Sequence, residues 1–249
     1  MNKKFKFVVL FLVVIIIGTG GLYFSLSKSH NSKIKEVYKN SYNILAMGDS
    51  LARGTGDETG KGFVNDFALL WKNKTNSSVS VDNIAVNGDT SSGLLNIVKR
   101  QETVQDIKQA DIIFISIGGN EIKNFYFSAQ SNELTLDNVK AIENKYFSNL
   151  EDIFKCIKNA NSNCTVVFVG LYNPSEDKLT SSETNLLEFW NHMTDNFVSK
   201  YDVIFIPTYD LFKGNTNRYL SSDKFHPNSR GYDIISNRIF DVLKNHNIK

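Results

Sequence analysis

The sequence predicts a three-layer α/β/α sandwich built on a five-stranded parallel sheet. Apolar runs that suit buried strands alternate along the chain with stretches of helical periodicity. Two of the runs, at 112–115 and 166–169, are continuously apolar, which is typical of parallel strands that are covered on both faces. Ligands of such sheets gather at the carboxyl ends of the strands, so the residues that follow each strand are the candidates for function.

Each element of this fold has its own signal. The five apolar runs place the strands at Asn43–Met47, Val79–Ala85, Asp111–Ile117, Thr165–Gly170 and Asp202–Pro207. Apolar residues that recur every three or four positions predict three helices, the second opened by a capping box at 180–183 and the third beginning near Asn228. The buried faces of these helices are predicted to be Val139, Ile142, Tyr146, Leu150, Ile153 and Ile157, then Leu186, Trp190, Met193 and Phe197, then Ile234, Ile235, Ile239 and Val242.

The first 41 residues stand apart from this pattern. Three lysines precede an uncharged segment that runs to residue 27, and Phe7–Ile17 within it is unbroken Phe, Val, Leu and Ile. Such a segment is either a signal peptide or a membrane anchor at 1–27, and we favour an uncleaved anchor. Residues 28–41 then form a polar tether and residues 42–249 the folded domain. The basic tip places that domain outside the cytoplasm, on the membrane or, if the segment is cleaved, secreted.

Composition excludes several classes of function. The chain has 28 basic and 26 acidic residues, and the lysines of the N-terminal tip account for the excess. A nearly neutral domain offers no basic face for nucleic acid. Cys156 and Cys164 either pair in an oxidising compartment or are small buried side chains, and the sequence leaves both open. With no further cysteine and no histidine cluster, no metal site is expected.

Three residues with the chemistry of a serine hydrolase follow predicted strands or precede the last helix. Ser50 comes directly after the first strand, and Asp223 and His226 lie three residues apart before the final helix. Acyl transfer by serine needs a hydroxyl, a base that takes its proton and a carboxylate that orients the base. Each residue also has a structural alternative, because serine favours helix N-caps and Asp-x-x-His is common in surface turns.

Two further residues suit the stabilisation of an oxyanion. Gly88 follows the second strand and offers a backbone N–H, and Asn120 follows the third strand and offers a side-chain amide. Taken alone, the glycine indicates only a turn and the asparagine only a helix cap. The segment at 56–61 is similar to a phosphate loop but is one residue short, and Gly62 replaces the Ser/Thr that binds Mg²⁺, so no nucleotide is expected.

Taken together in chain order, these segments resemble the four signature blocks of the SGNH (GDSL) hydrolases over residues 42–245. The matching segments are Gly48-Asp49-Ser50-Leu51, Asn87-Gly88-Asp89, Gly118-Gly119-Asn120 and Asp223-x-x-His226. The stretch at 56–60 is similar to the lysophospholipase-like bacterial branch. One departure is Glu121, where family members commonly have Asp, and it puts a supporting contact in doubt.

The resemblance implies a flavodoxin-like fold and a serine esterase that needs no metal or organic cofactor. Ser50 would be the nucleophile, His226 the base and Asp223 the residue that orients it. The oxyanion hole would comprise the Ser50 and Gly88 N–H groups and the Asn120 amide. Lysophospholipids or short acyl esters are the expected substrates. The aromatic residues within 124–127 either line an acyl pocket or pack a helix against the rest of the fold, and we favour the second interpretation.

Two alternatives stay open at this point. A domain on the cell surface faces the cell wall, so removal of O-acetyl groups from a polysaccharide is the rival activity. A catalytically silent surface binding module is the alternative from another class.

Overall fold

The computed structural model describes residues 38–130, 136–176, 181–246 and 248, with the side chains of 125–139 and 181–183 excepted. The predicted anchor or signal peptide and most of the predicted tether lie outside these residues. The folded unit begins at Lys39, whose ammonium group pairs with the Asp111 carboxylate. None of the helices in this part of the chain combines the length and the apolarity that a membrane span requires.

The centre of the fold is a five-stranded sheet in the order β2-β1-β3-β4-β5, and every neighbouring pair is parallel. This confirms the predicted sheet. The strands are β1 (Ser41–Gly48), β2 (Ser78–Asn83), β3 (Ile112–Ser116), β4 (Thr165–Val169) and β5 (Val203–Ile206). Predicted and observed ends differ by up to two residues, because ladder bonds such as Ile84 N–H to Ala46 O (2.9 Å) continue past the regular strand.

Helices cover both faces of the sheet, as expected for parallel strands. They are α1 (Ser50–Arg53), α2 (Gly62–Thr75), α3 (Ser91–Val98), α4 (Gln101–Gln109), α5 (Gly119–Gln130), α6 (Leu136–Ala160), α7 (Ser181–Val198), α8 (Tyr209–Phe212), α9 (Thr216–Tyr219) and α10 (Ser229–Leu243), with a 3₁₀ turn at Ser199–Tyr201. Asn228 caps α10 by accepting a hydrogen bond from the Gly231 N–H (3.0 Å), which explains why that helix begins there.

Strand β3 shows how the sequence builds two cores at once. All five of its residues are buried, and successive side chains point to opposite faces. Ile112 and Phe114 enter the core beneath α2 and α10, where Phe114 packs edge-on against Phe67 with ring centroids 5.1 Å apart. Ile113 and Ile115 enter the core beneath the helices of the opposite face. The unbroken apolar run is therefore a consequence of burial on both faces.

The predicted helix faces are confirmed in part for α6 and α10 and need correction for α7. Tyr146, Leu150, Ile153 and Ile157 of α6 are buried, as are Ile235 and Ile239 of α10, whereas the predicted Ile142, Ile234 and Val242 are only partly buried. In α7 the buried residues are Leu187, Thr194 and Val198, whereas the predicted Leu186, Trp190, Met193 and Phe197 are only partly buried. Val139 and the capping box lie outside the described side chains.

Both cysteines are free thiols. The Cys164 thiol donates to the Asn161 carbonyl (3.3 Å), and burial raises the pKa of that thiol to about 11. Cys164 therefore acts as a small buried side chain, which is one of the two alternatives that the sequence left open.

Candidate active site

The turn between β1 and α1 presents Ser50 at the carboxyl edge of the sheet. Gly48 ends β1 with φ +124°, and a Cβ at this position would lie 2.0 Å from the Ser116 carbonyl oxygen. Only glycine allows this approach. The Asp49 N–H donates to the same carbonyl (2.8 Å), so the turn is tied to the end of β3. Ser50 then begins the short helix α1.

Three predicted site residues form one hydrogen-bonded chain. The Ser50 hydroxyl lies 2.9 Å from His226 Nε2. On the other side of the ring, His226 Nδ1 lies 2.6 Å from Asp223 Oδ2. Residues from opposite ends of the domain thus meet in the order hydroxyl, imidazole, carboxylate. In this order a proton can pass from the serine to the imidazole while the carboxylate fixes the ring.

The loop that carries the imidazole is folded around the Asp223 carboxylate. Its Oδ1 accepts hydrogen bonds from the Ser221 hydroxyl (2.8 Å), the Phe225 N–H (2.8 Å) and the His226 N–H (2.9 Å). Partial burial by itself raises the pKa of Asp223, but the bonds from His226, the backbone and Ser221 outweigh it and hold that pKa well below its ordinary value. Asp223 is therefore ionised throughout the neutral range.

Two neighbouring segments brace this loop from outside. The Tyr172 hydroxyl donates to the Phe225 carbonyl (2.7 Å), and the Tyr172 ring stacks on Phe212 with centroids 4.2 Å apart. On the other side Gly56 approaches so closely that a Cβ there would lie 2.7 Å from His226 Cβ. Sequence reasoning missed Tyr172, because no local pattern shows that its hydroxyl will meet a loop 53 residues further along the chain.

The segment at 56–61, which is similar to a phosphate loop in sequence, has a structural role. The Asp57 carboxylate accepts from the backbone N–H groups of Thr59 (2.8 Å) and Gly62 (2.7 Å), which closes the turn. Glu58 accepts from the Ser229 N–H (3.0 Å) and so caps the start of α10. Both carboxylates therefore hold the loop in place beside His226.

The three predicted oxyanion donors lie on adjoining loops at the same edge of the sheet. The Val86 N–H donates to the Gly48 carbonyl (2.8 Å), which ties the loop after β2 to the Ser50 turn. The Asn120 amide donates to the Asp89 carbonyl (2.7 Å), which ties the start of α5 to the residue after Gly88. An amide nitrogen has two hydrogens, so this bond leaves one hydrogen of Asn120 unused. In the described part of the chain, no acceptor bonds the Ser50 or Gly88 N–H.

Glu121 makes a specific contact despite its departure from the usual Asp. Its Oε1 accepts from the Ser91 N–H (2.5 Å) at the first turn of α3, and the side chain is buried. Among the described residues, its Oε2 and Asp89 Oδ2 are buried without a hydrogen-bond partner. The longer side chain thus ties α5 to α3, next to Asn120.

Asp49 is a site residue whose role sequence reasoning missed. Its side chain is 4% exposed, and Oδ1 accepts from the Leu51 N–H (3.0 Å) and the Ser116 hydroxyl (3.2 Å). Burial raises the pKa of Asp49 to about 7, the two hydrogen bonds oppose that rise, and the carboxylates of Glu121 and Asp89 add to it. An aspartate between Gly48 and Ser50 was visible in the sequence, but its burial was not.

Other histidines and acids form no second centre in the region that the structure describes. His192 and His246 are exposed, and His30 lies outside the described residues. Within the same region no group of three His, Cys, Asp or Glu side chains could hold a metal ion.

The fold and this geometry define a class of protein. A parallel α/β/α sandwich with a serine, a histidine and an aspartate in hydrogen-bonded sequence at its carboxyl edge is the arrangement of a serine hydrolase. The sequence model of the GDSL-like Lipase/Acylhydrolase family matches residues 46–234. The chain therefore belongs to that family and is an ester-hydrolysing enzyme.

Several individual proteins are similar to this chain. The chain is 33% identical over 230 residues to the uncharacterized protein YpmR of Bacillus subtilis, covering 87% of this chain and 86% of that protein. It is 28% identical over 198 residues to the spore germination lipase LipC of Bacillus licheniformis, and the match covers 78% of this chain and 92% of LipC. Among solved structures, the lipase Lip_vut3 from a goat rumen metagenome has the same fold, with a TM-score of 0.72 and 24% sequence identity. The match covers 82% of this chain and 99% of Lip_vut3.

Proposed function

We propose that the protein hydrolyses carboxylic esters through an acyl-enzyme on Ser50. The observation that carries this proposal is the chain of hydrogen bonds from the Ser50 hydroxyl through His226 to Asp223, at 2.9 and 2.6 Å. His226 accepts at Nε2 only if its proton is on Nδ1, and the ionised Asp223 carboxylate at Nδ1 favours that tautomer.

In the first half of the reaction, His226 Nε2 takes the Ser50 proton while Ser50 Oγ forms a bond to the ester carbonyl carbon. The electron pair of the C=O double bond moves to oxygen, which becomes the oxyanion. When the double bond reforms, the bond to the alkoxy oxygen breaks, and His226 protonates the departing alcohol. In the second half, water loses a proton to His226 while its oxygen forms a bond to the acyl carbon. The bond between that carbon and Ser50 Oγ then breaks, the acid leaves, and Ser50 Oγ takes the proton back from His226.

Two groups of residues lower the barrier. Asp223 stabilises the imidazolium that exists between proton transfers, and its low pKa keeps it charged while it does so. The Ser50 N–H, the Gly88 N–H and the second Asn120 amide hydrogen stabilise the oxyanion. This assignment is supported by the connection of their three loops and by the absence of any acceptor on either backbone N–H within the described chain.

For the substrate we propose esters of fatty acids or single-chain lipids, including lysophospholipids. An apolar groove of about 100 Å³ lies between α5, α6 and α7, lined mainly by Ile122, Ile142, Phe147, Leu186, Trp190 and Met193. Ile142 also lines a neighbouring cavity of about 370 Å³ that includes Ser91 and Glu121, the residue after Asn120. Neither cavity is lined by Ser50, Asn120 or His226, so the proposal requires the acyl chain to extend from Ser50 past Glu121 before it reaches this apolar surface. The lipase LipC among the relatives supports the same substrate class.

The test compares the full-length wild type with Ser50→Ala on p-nitrophenyl acetate, butyrate and octanoate. Ser199→Ala is the matched control, because its hydroxyl bonds only the Asn196 carbonyl (3.2 Å) on an exposed turn. We expect activity that disappears in Ser50→Ala, persists in Ser199→Ala and favours the longer esters. Exclusive hydrolysis of acetate would replace the lipid substrate with an O-acetyl ester. A folded wild type that hydrolyses none of them would favour the binding module.

A further inference from the structure

The Asp49 carboxyl joins the two chain segments that carry the nucleophile and an oxyanion donor. Its Oδ1 accepts from the Leu51 N–H (3.0 Å), directly after Ser50, and from the Ser116 hydroxyl (3.2 Å) at the end of β3. Ser116 is four residues before Asn120. This buried oxygen atom therefore adds a side-chain link between the Ser50 turn and the turn that leads to Asn120, beside the backbone bond from the Asp49 N–H to the Ser116 carbonyl (2.8 Å).

The second observation is the charge around this carboxyl. Glu121 of α5 and Asp89 of the β2–α3 loop face it, and each has a buried oxygen without a hydrogen-bond partner in the described chain. The other titratable groups that face it are the phenols of Tyr146, Tyr172 and Tyr232, from α6, the loop after β4 and α10. Burial raises the pKa of all three phenols, so they stay neutral. His226 lies beyond Ser50 on the other side.

The neutral form of Asp49 suits the reaction better than the ionised form. A negative charge next to Ser50 would repel the oxyanion that develops at the Ser50 N–H, and burial leaves it little screened. Because burial raises its pKa to about 7, Asp49 changes charge within the range in which an esterase is assayed. A neutral carboxyl still accepts both hydrogen bonds through Oδ1.

We propose that Asp49 is a positioning residue for ester hydrolysis, that it aligns Ser50 with Asn120 through its two hydrogen bonds, and that its neutral form is the competent one. This inference rests on the function proposed above.

The test uses Asp49→Ala and Asp49→Asn in the full-length protein, with Asp111→Ala as the matched control. Asp111 joins the same two strands at their opposite ends, where its Oδ2 accepts from the Asn43 N–H (2.8 Å), so its loss perturbs the sheet without touching the site. We expect Asp49→Ala to lower kcat roughly 10- to 100-fold with a smaller change in KM, since small misplacements of reacting groups have effects of that size. Asp111→Ala should keep kcat in its folded fraction.

The pH profile separates positioning from a purely structural role. Wild-type kcat should fall as pH rises through about 7, the pKa of Asp49. Asp49→Asn keeps both acceptor contacts and cannot ionise, so it should recover most of kcat and lose that fall. A profile of Asp49→Asn that superimposes on that of the wild type would overturn the inference, as would wild-type kcat in Asp49→Ala. If Asp49→Ala does not fold, the Asp49→Asn profile decides alone.

The same experiment distinguishes the two proposals. Activity that survives in Ser50→Ala would mean that the proposed function is wrong. Activity that depends on Ser50 but is insensitive to both Asp49 variants would mean that only the role of Asp49 is wrong.

Discussion

Replacement of Asn120 by alanine tests the oxyanion hole. The Asn120 amide gives one hydrogen to the Asp89 carbonyl at 2.7 Å, which fixes the direction of the side chain and leaves the second hydrogen for substrate. Alanine removes both bonds. Loss of one oxyanion donor lowers kcat by about 100- to 1,000-fold, or about 3–4 kcal/mol of transition-state stabilisation. KM should change little, because the carbonyl oxygen carries its full charge only in the transition state.

The same variant has a separate effect on stability. The lost bond to Asp89 contributes about 1 kcal/mol to the free energy of unfolding, which is small for a domain of this size. Asn120→Ala should therefore fold, with a melting temperature a few degrees below that of the wild type. A large loss of kcat in a folded enzyme would then report chemistry and not unfolding.

The assay measures kcat and KM on p-nitrophenyl butyrate together with thermal unfolding. Asn237→Ala is the matched control, because Asn237 is an exposed amide on α10 that also donates to a backbone carbonyl (Asp233, 2.7 Å) and lines neither cavity. It should keep kcat within about threefold of the wild type, an effect well below that of losing a donor. Wild-type kcat in Asn120→Ala would mean that Asn120 does not stabilise the oxyanion.

Three further predictions concern the supports of the site. Tyr172→Phe loses the hydroxyl that donates to the Phe225 carbonyl. It should lower the free energy of unfolding by about 1 kcal/mol and lower kcat severalfold. An unchanged kcat would mean that the loop that carries His226 does not need this hydrogen bond. The pKa of Asp223 is depressed in the folded state, so the stability it contributes is present above its unfolded pKa and is lost as pH falls below it. Denaturant unfolding from pH 2 to pH 6 should show that the free energy of unfolding falls with decreasing pH in the wild type and falls less steeply in Asp223→Asn. An equal pH dependence in the two proteins would contradict this prediction. Gly48→Ala places a Cβ 2.0 Å from a backbone carbonyl oxygen of β3, whereas Gly60→Ala meets nothing within 4 Å, so only the former should abolish folding at 37 °C, as soluble yield and melting curves would show.

Local patterns in the sequence were sufficient to predict the sheet and the three longest of the described helices, α6, α7 and α10. The continuously apolar run in β3 predicted a central strand, because residues at alternate positions fill two separate cores. The buried face of α7 was predicted one residue out of register, because Leu186, Trp190 and Met193 line a groove and are only partly buried. Periodicity alone does not distinguish a core from a groove.

The candidate site was predictable where its chemistry depends on residue type. Ser50, Asp223 and His226 were identifiable from their positions after a strand and before a helix, and the structure places them in hydrogen-bond contact. Tyr172 and Asp49 were not identified, because their roles depend on which loops the fold brings together. A carboxylate beside a serine gives no local sign that it will be 4% exposed and surrounded by other carboxyls.

The most direct test of the account is to identify the residue that becomes acylated. The full-length wild type and Ser50→Ala would each be mixed with excess p-nitrophenyl octanoate, quenched in acid during turnover and mapped by peptide mass spectrometry. We expect an octanoyl group on Ser50 in the wild type, a burst of p-nitrophenol that matches the enzyme concentration, and neither in Ser50→Ala. Octanoylation of another residue, or steady hydrolysis by Ser50→Ala, would contradict it.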